Sequence, residues 1–303
     1  MPGMKEIKNR INSVSDTQKI TNAMYMIAST KLRKAKQDMD NTRPYFESLR
    51  SEIARILYTD KDLKSRYLKE KPETGTYGYL VITADKGLAG PYNHNMIKKM
   101  LELTKEHEDN KLFVVGEVGR RYCEVHGIPH EENFRYSAKK PSFRRADEIG
   151  KIVFERFDKG ELEALYIVYT DIKNSITEVV RCDRLLPFKK ELIEDSMPKN
   201  TCEFEFIPSP AEMIDRIMPE YLTGYIFSAL VDSYCAEENA RMMAMDAANT
   251  NAEKIRQELM LEYNHLRQNA ITQEITEVAA GAKAKRRKME REILKKKKKE
   301  SVV

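Results

Sequence analysis

The stretch that decides the fold lies near the start of the chain, where residues 4–57 read MKEIKNRINSVSDTQKITNAMYMIASTKLRKAKQDMDNTRPYFESLRSEIARIL. Alternating steps of three and four residues keep one phase for more than seven heptads, which is typical of a coiled-coil helix. Pro44 breaks the backbone pattern, and we expect a bend near Arg43. The stripe has sixteen members, thirteen of them apolar: Met4, Ile7, Ile11, Val14, Gln18, Thr21, Tyr25, Ala28, Leu32, Ala35, Met39, Thr42, Phe46, Leu49, Ile53 and Ile56.

A helix of this length needs a partner. At a rise of ~1.5 Å per residue it reaches about 80 Å, which is longer than a small domain is wide. The partner is predicted from about residue 211 to at least 282, where apolar residues recur at helical spacing and only Pro219 and Gly224 interrupt the interior. This second helix is rich in Ala and Met between 236 and 252, and small residues let helix axes approach closely. Because the intervening chain must return, we expect the two helices to pair antiparallel.

Between the helices the chain alternates strand and helix patterns, which predicts a mostly parallel sheet with covering helices. The predicted fold class is α/β: a long antiparallel coiled coil from the terminal helices, with an inserted Rossmann-like α/β domain. Strands are predicted at 77–83, 112–115, 134–136, 165–170, 176–186 and 202–207, and helices at 93–107, 118–125 and 145–158. The predicted domains are an N-terminal coiled-coil helix 1–71, an α/β domain 72–208, a C-terminal coiled-coil helix 209–284 and a basic extension 285–303.

The residues show no constellation for catalysis. Gly87 and Gly90 form a G-x-x-G loop, which indicates a tight turn because neither a dinucleotide fingerprint nor a phosphate-binding loop is present. The five histidines form no metal-binding spacing, and the acidic pair Glu237-Glu238 is expected in ordinary polar surroundings. The four cysteines lie far apart and are expected to be isolated thiols. The sequence therefore predicts no catalytic residue, no metal site and no cofactor.

Charge is distributed unevenly. Eleven basic and three acidic residues give 283–303 a charge of +8, so the remaining chain sums to −3. Such a tail can bind phosphate backbones or anionic membrane surfaces, or it can be a solvated helix end. We favour the solvated end, because the tail has no aromatic residues to stack on bases. No apolar run is long enough to span a membrane and no signal or transit segment is recognised, which indicates the cytoplasm of a bacterium.

Motifs at both ends then indicate a family. The sequences MKEIKNRI (4–11) and TQKITNAMYMIA (17–28) resemble the N-terminal signature of the gamma subunit of F-type ATP synthase. YNHLRQNAITQEITE (263–277) is similar to the C-terminal signature of this family and is the more specific of the two. ENARMMAM (238–245) and TADKGLAG (83–90) also fit, so the resemblance covers residues 2–284.

The resemblance implies a central-stalk rotor without an active site of its own. The paired helices would turn inside a ring of alpha and catalytic beta subunits. The α/β domain would stand with epsilon on the membrane c-ring, at the cytoplasmic face of the bacterial cell membrane. Nucleic acid is not expected as a partner. The contacts with beta implied by the motifs are Met24, Arg241, Arg267, Gln268, Thr272 and Glu274, and the foot on epsilon and the c-ring is expected at Phe204, Glu205, Phe206 and Ile207.

Two departures leave alternatives open. Members of the family often carry an acidic residue near Ile207, and they commonly end near residue 282, whereas this chain continues to Val303. We expect the extension to lengthen the shaft or to line its bearing. Beside the torque-transmitting subunit, the hypotheses are a nucleic-acid-binding coiled coil that uses the tail and, with least support, an enzyme on the α/β domain.

Overall fold

The computed structural model describes residues 3–60, 63–68, 75–172, 178–188 and 206–300, with side chains as far as Arg291. Met24–Met245 form one compact unit, and Met1–Ala23 with Asp246–Val303 form another. In chain order the elements are α1 (Met4–Thr59), β1 (Tyr77–Ile82), α2 (Tyr92–Glu106), β2 (Asn110–Val115), α3 (Glu117–His126), α4 (Phe143–Asp158), β3 (Ala164–Ile172), β4 (Glu178–Leu186) and α5 (Pro210–Glu300).

The heptad stripe is the buried face of α1. Every member except Met4 is buried or half-buried, while most residues between the members are exposed. Ile7, Ala28, Ile53 and Ile56 are almost completely covered. α1 runs unbroken through Pro44, and the bend expected there stays a prediction.

The partner of α1 is α5, and the two run antiparallel within each unit. In the unit that contains both termini, Gln18 donates to Glu253 and Thr21 donates to Asn249. In the unit 24–245, Lys31 reaches Glu238, and Tyr45 donates to Glu220 over 2.7 Å. Partner numbers on α5 fall as those on α1 rise, which confirms the predicted antiparallel coiled coil.

The inserted domain has a four-stranded sheet in the order β2-β1-β3-β4. β1 pairs parallel with β2 and β3, whereas β3 pairs antiparallel with β4. β1 is buried along its whole length, as its unbroken apolar sequence predicts for a strand covered on both faces. The predicted α/β class, mostly parallel with covering helices, is confirmed.

One predicted strand was wrong. No strand forms at 134–136, because Phe134 packs edge-on against Phe113 instead of entering the sheet. α1 ends at Thr59, close to the end of the heptad stretch 4–57, and Leu63 and Tyr67 after it are buried in the main core. α5 continues past 284 without interruption. The strand predicted at 202–207 lies outside the described residues up to 205, and the partition into four domains stays a prediction.

No helix in the part of the chain that the structure describes is long and apolar enough to cross a membrane. Cys123, Cys182 and Cys235 are free thiols, as expected, and Cys202 lies outside the described residues.

Phe46 seats α1 against α5 at Gly224. A Cβ atom built on Gly224 would lie 2.0 Å from Cε1 of Phe46, so only a residue without a side chain admits the ring. The ring also lies near Phe143 and Phe227, with centroids 6.1 and 6.4 Å away. The glycine therefore lets an aromatic cluster join the two helices to the start of α4.

Gly224→Ala should destabilise the chain. Overpacking costs about 1–3 kcal/mol, against a gain of up to about 1 kcal/mol in helix propensity, so we expect a lower midpoint of urea unfolding. Gly281→Ala is the matched control, because it lies in the same helix with no atom within 4 Å of the added Cβ. Equal midpoints for the two variants would contradict the packing role of Gly224.

Asp232 brings a carboxylate into the junction between α5, β3, β4 and α1. Burial, reinforced by the charge of Asp171, raises the pKa of Asp232 to about 7, while Arg43 and Arg181 act in the opposite direction. Asp171 itself is held by Arg181 at 2.7 Å. The folded chain therefore keeps a proton on Asp232 at pH values where the unfolded chain has lost it.

The raised pKa makes stability depend on pH. Because the folded pKa lies above the unfolded value of about 3.9, the stabilising contribution of the proton is present at low pH and is lost as the pH rises from about 4 to about 7. Asp232→Asn should therefore raise the melting temperature at pH 8 and have little effect at pH 4. The control is Asp246→Asn on the exposed face of α5. A gain at pH 8 that is equal for both variants would contradict the assignment.

Candidate partner-binding site around Arg241

The turn after β1 forms one wall of the site, and Asp85 holds it in place. The Asp85 carboxylate accepts from the backbone N–H of Glu117 at 3.1 Å, from the Ser137 hydroxyl at 2.5 Å and from the backbone N–H of Lys139 at 3.1 Å. It thus fixes the start of α3 and the loop that carries Lys139. Arg145 ties the same loop from the other side by donating to the carbonyl oxygen of Ser137.

This turn packs directly on α5. Gly90 has a φ of +51°, a conformation that favours glycine, and its open side faces Ala240 and Ala244. The small residues on α5 thus let a loop approach, as they let helices approach. A separate buried cluster joins the two elements and consists of Ala84, Ala89, Tyr92, Ala236 and Ala240.

Arg241 lies in the middle of a buried charge cluster. Its guanidinium donates to Glu237 one turn earlier and contacts Glu238 at 2.9 Å, and Lys31 of α1 reaches Glu238 at 3.0 Å. Arg241 also donates to the carbonyl oxygen of Gly87 at 3.4 Å. Glu237 and Glu238 are only 3% and 2% exposed and Arg241 is 8% exposed, so the expectation of ordinary polar surroundings for the two acids was wrong.

The electrostatics show a cluster that neutralises itself. Burial raises the pKa of Glu237, and Arg241 opposes that shift. Burial alone would lower the pKa of Arg241, but the hydrogen bond with Glu237 and the charges of both glutamates outweigh it and raise the pKa. The positive charge of Arg241 is therefore neutralised within the chain by two carboxylates of its own helix.

Positive charge that has no ionic partner among the described residues lies at Lys86 and Lys139, on the rim of the cluster. A cavity of about 170 Å³ opens beside the cluster, and its lining carries four cations against two carboxylates. Lys86 and Lys139 come from the turn and from the loop that Asp85 fixes. The lining residues are Met24, Ile27, Ala28, Lys31, Lys86, Lys139, Glu237, Glu238 and Arg241.

The structure thus brings together only two of the candidate contact residues, Met24 and Arg241. Arg267, Gln268, Thr272 and Glu274 belong to the other unit, where all four are exposed on α5. The hydroxyl of Thr272 donates to the backbone carbonyl oxygen of Gln268 at 2.9 Å. The side chains of Arg267, Gln268 and Glu274 face solvent. They form a polar surface on this helix.

Of the expected foot, Phe204 and Glu205 lie outside the described residues. Phe206 packs partly against the main core, whereas Ile207 is 87% exposed. An apolar side chain thus stands in solvent at the position where the sequence lacks the acidic residue.

Sequence reasoning missed Lys31, Lys86, Lys139 and the paired glutamates. One signal was available: Glu237 and Glu238 precede Arg241 by four and three residues, so both face it on a helix. Lys86 and Lys139 could not be predicted from the sequence, because only the folded sheet and the paired helices bring these distant residues to one place.

Comparisons with known proteins identify the family. A family model described as ATP synthase matches residues 3–284. The ATP synthase gamma chain of Caldanaerobacter subterraneus subsp. tengcongensis is 40% identical over 295 residues, covering 92% of this chain and 99% of that relative. The sodium ion specific ATP synthase gamma chain of Acetobacterium woodii is 34% identical over 297 residues, covering 93% of this chain and 98% of the relative.

Solved structures show the same fold. The rotor of Euglena gracilis mitochondrial ATP synthase in rotational state 1 matches with a TM-score of 0.61 at 18% identity, covering 88% of this chain and 98% of that one. A second Euglena gracilis structure, of OSCP, F1 and the c-ring in rotational state 3, matches with a TM-score of 0.64 at 18% identity, covering 93% and 94%.

An antiparallel pair of long helices that carries a small α/β domain is thus the fold of ATP synthase central stalks. With a family match over nearly its whole length, the chain belongs to the ATP synthase gamma chain family.

Removing the guanidinium should expose the dependence of the cluster on Arg241. Arg241→Gln leaves buried Glu237 without its described ionic partner and leaves Glu238 with Lys31 alone, and we expect a loss of about 3–5 kcal/mol in the free energy of unfolding at pH 8. The loss should shrink as the pH falls, since burial raises the pKa of Glu237 and a proton then replaces the lost charge.

The control for this measurement is Arg267→Gln on the exposed part of α5, which should change stability by no more than about 0.5 kcal/mol. Urea unfolding at pH 5 and pH 8 measures both variants. A loss for Arg241→Gln that is as small as the control would show that the cluster does not hold the buried carboxylates.

Proposed function

We propose that this chain is the rotor of an ATP synthase central stalk, and that it couples ion flow through the membrane c-ring to ATP synthesis or hydrolysis in the catalytic beta subunits. The observation that carries the proposal is the 40% identity to an ATP synthase gamma chain over almost the full length of both proteins. The proposed partners are alpha, beta, epsilon and the c-ring, at the cytoplasmic face of a bacterial cell membrane. The chain itself contributes no catalytic residue and no cofactor.

The paired helices suit this role. A helical pair is stiff along its length, and its surface differs from side to side around the axis. Each angular position therefore offers different contacts to the surrounding subunits and favours a different conformation in each. The candidate contacts with beta remain Met24 and Arg241 in one unit and Arg267, Gln268, Thr272 and Glu274 in the other.

The structure changes the role that we propose for Arg241. Because Glu237 and Glu238 already neutralise it, Arg241 is a poor free cation for an acidic segment of beta. Lys86 and Lys139 are better placed, since they line the same cavity and add two positive charges that the glutamates do not compensate. We propose that these lysines receive the acidic segment, that Arg241 holds the wall behind them, and that Met24 supplies apolar contact.

The foot on epsilon and the c-ring stays proposed at Phe204, Glu205, Phe206 and Ile207. The exposed side chain of Ile207 supports an apolar contact there in place of an acidic one.

Purification of the complex through a tag on this chain tests the function. We expect two different nucleotide-binding subunits to accompany the chain from detergent extracts of membranes. Recovery of the chain as a free monomer would contradict the rotor assignment. Recovery with DNA that is released by salt, and only when residues 285–303 are present, would support the nucleic-acid hypothesis in its place.

The double variant Lys86→Gln, Lys139→Gln tests the contact. Charges at a partly exposed contact are worth on the order of 1 kcal/mol each, so we expect intact assembly but an approximately two- to tenfold lower ratio of ion pumping to ATP hydrolysis. The control is Lys98→Gln, Lys151→Gln, which removes the same charge from exposed faces of α2 and α4. Equal coupling in the two double variants would refute the role of the loop lysines.

A further inference from the structure

The end of α5 has a surface that no described residue of the chain covers. Every residue from Ile271 to Arg291 is exposed, and the helix continues to Glu300. The family model stops at 284, so the last turns of this helix lie beyond the part shared with the family.

An apolar stripe runs along this helix and crosses the boundary at 284. At 100° per residue, the spacing of its members keeps them within a sector about 60° wide. Met289, beyond the boundary, is 55% exposed and lies in the same sector as the members before it. The stripe consists of Ile271, Ile275, Val278, Ala282 and Met289. Since its phase does not change, a neighbour that covers the stripe before 284 is positioned to cover it afterwards too.

Charge changes at the same boundary. Between 271 and 282 the charged residues are Glu274 and Glu277, whereas 285–300 carry ten basic and three acidic residues. The described basic side chains after 284 point to all sides of the helix, and only Arg286 has a described ionic partner, Glu290 at 3.8 Å. They are Lys285, Arg286, Arg287, Lys288 and Arg291.

This pattern fits an acidic protein surface better than a phosphate backbone or a membrane. A lipid surface or a duplex lies on one side of a helix and reaches part of such a charge distribution, whereas a protein groove surrounds it. The chain has no aromatic residue after Tyr263, so both base stacking and the aromatic anchoring of interfacial helices are lacking.

We propose that the extension of α5 lies in a groove with acidic walls on a subunit against which this chain turns. Met289 continues the apolar contact on the floor of the groove, and the basic residues of 285–291 face its carboxylates. The inference rests on the proposed function, because the partner is a subunit of the same complex.

Oxidation of Met289 by dilute hydrogen peroxide, followed by peptide mass spectrometry, tests the groove in the purified complex. We expect Met289 to be oxidised about tenfold more slowly in the complex than in the free chain, which corresponds to about 1.4 kcal/mol of protection. The protection should fall when the ionic strength rises to about 1 M, where charges are screened beyond ~3 Å.

The matched variant replaces Lys285, Arg286, Arg287, Lys288 and Arg291 with glutamine, which keeps helix propensity and length but removes the charge. We expect it to assemble and to lose most of the protection of Met289. Oxidation of Met289 at the free-chain rate in the complex would overturn the proposal, and so would protection that the glutamine variant retains. Protection of the free chain by vesicles of phosphatidylglycerol, in the absence of protection in the complex, would assign the extension to a membrane surface.

A chain truncated after Ala284 separates this inference from the proposed function. The truncated chain should still co-purify with the nucleotide-binding subunits. If truncation abolished assembly, the proposal that the groove adds a contact to an already assembled complex would be wrong. If the full-length chain failed to co-purify, the rotor assignment itself would be wrong.

Discussion

The pairing of α1 with α5 is the interaction on which the other features of the molecule depend. α1 has 56 residues and α5 has 91, and neither could bury an apolar stripe of that length without the other. Within the unit 24–245 the turn after β1 and the strands β3 and β4 also pack against α5. Every residue from Ser233 to Arg241 is consequently buried, so α5 is covered there on all sides.

That burial explains the charge cluster. A buried carboxylate is costly unless it is paired, and α5 places two of them side by side where both are almost completely buried. Arg241 compensates them from the same helix and Lys31 from α1. The cluster therefore forms only when both helices and the turn are in place, which ties the geometry of the proposed contact surface to correct packing of the coil. Lys86 and Lys139 can then present positive charge outward, because the inner charges already balance.

Most of this fold could be predicted from the sequence, since the heptad stripe predicted which face of α1 is buried and the alternation of strand and helix patterns located the inserted domain. The prediction of strands failed where an apolar segment packs in the core without pairing in the sheet. Phe134 is the example, because its ring packs edge-on against Phe113. At the site, the motifs pointed to Met24 and Arg241, but the burial of Glu237 and Glu238 could not be seen in a charged stretch. Lys86 and Lys139 lie over fifty residues apart in the sequence, and the folded domain, through Asp85 among other contacts, brings their loops together.

The central claim is that this chain turns as a unit inside a stationary head. The most direct measurement attaches a visible probe to a cysteine placed at exposed Val125 on α3 and records its orientation while the immobilised head hydrolyses ATP. The account predicts continuous rotation in one direction that stops when ATP is removed. A probe that keeps a fixed orientation while the same complex hydrolyses ATP at its full rate would contradict it.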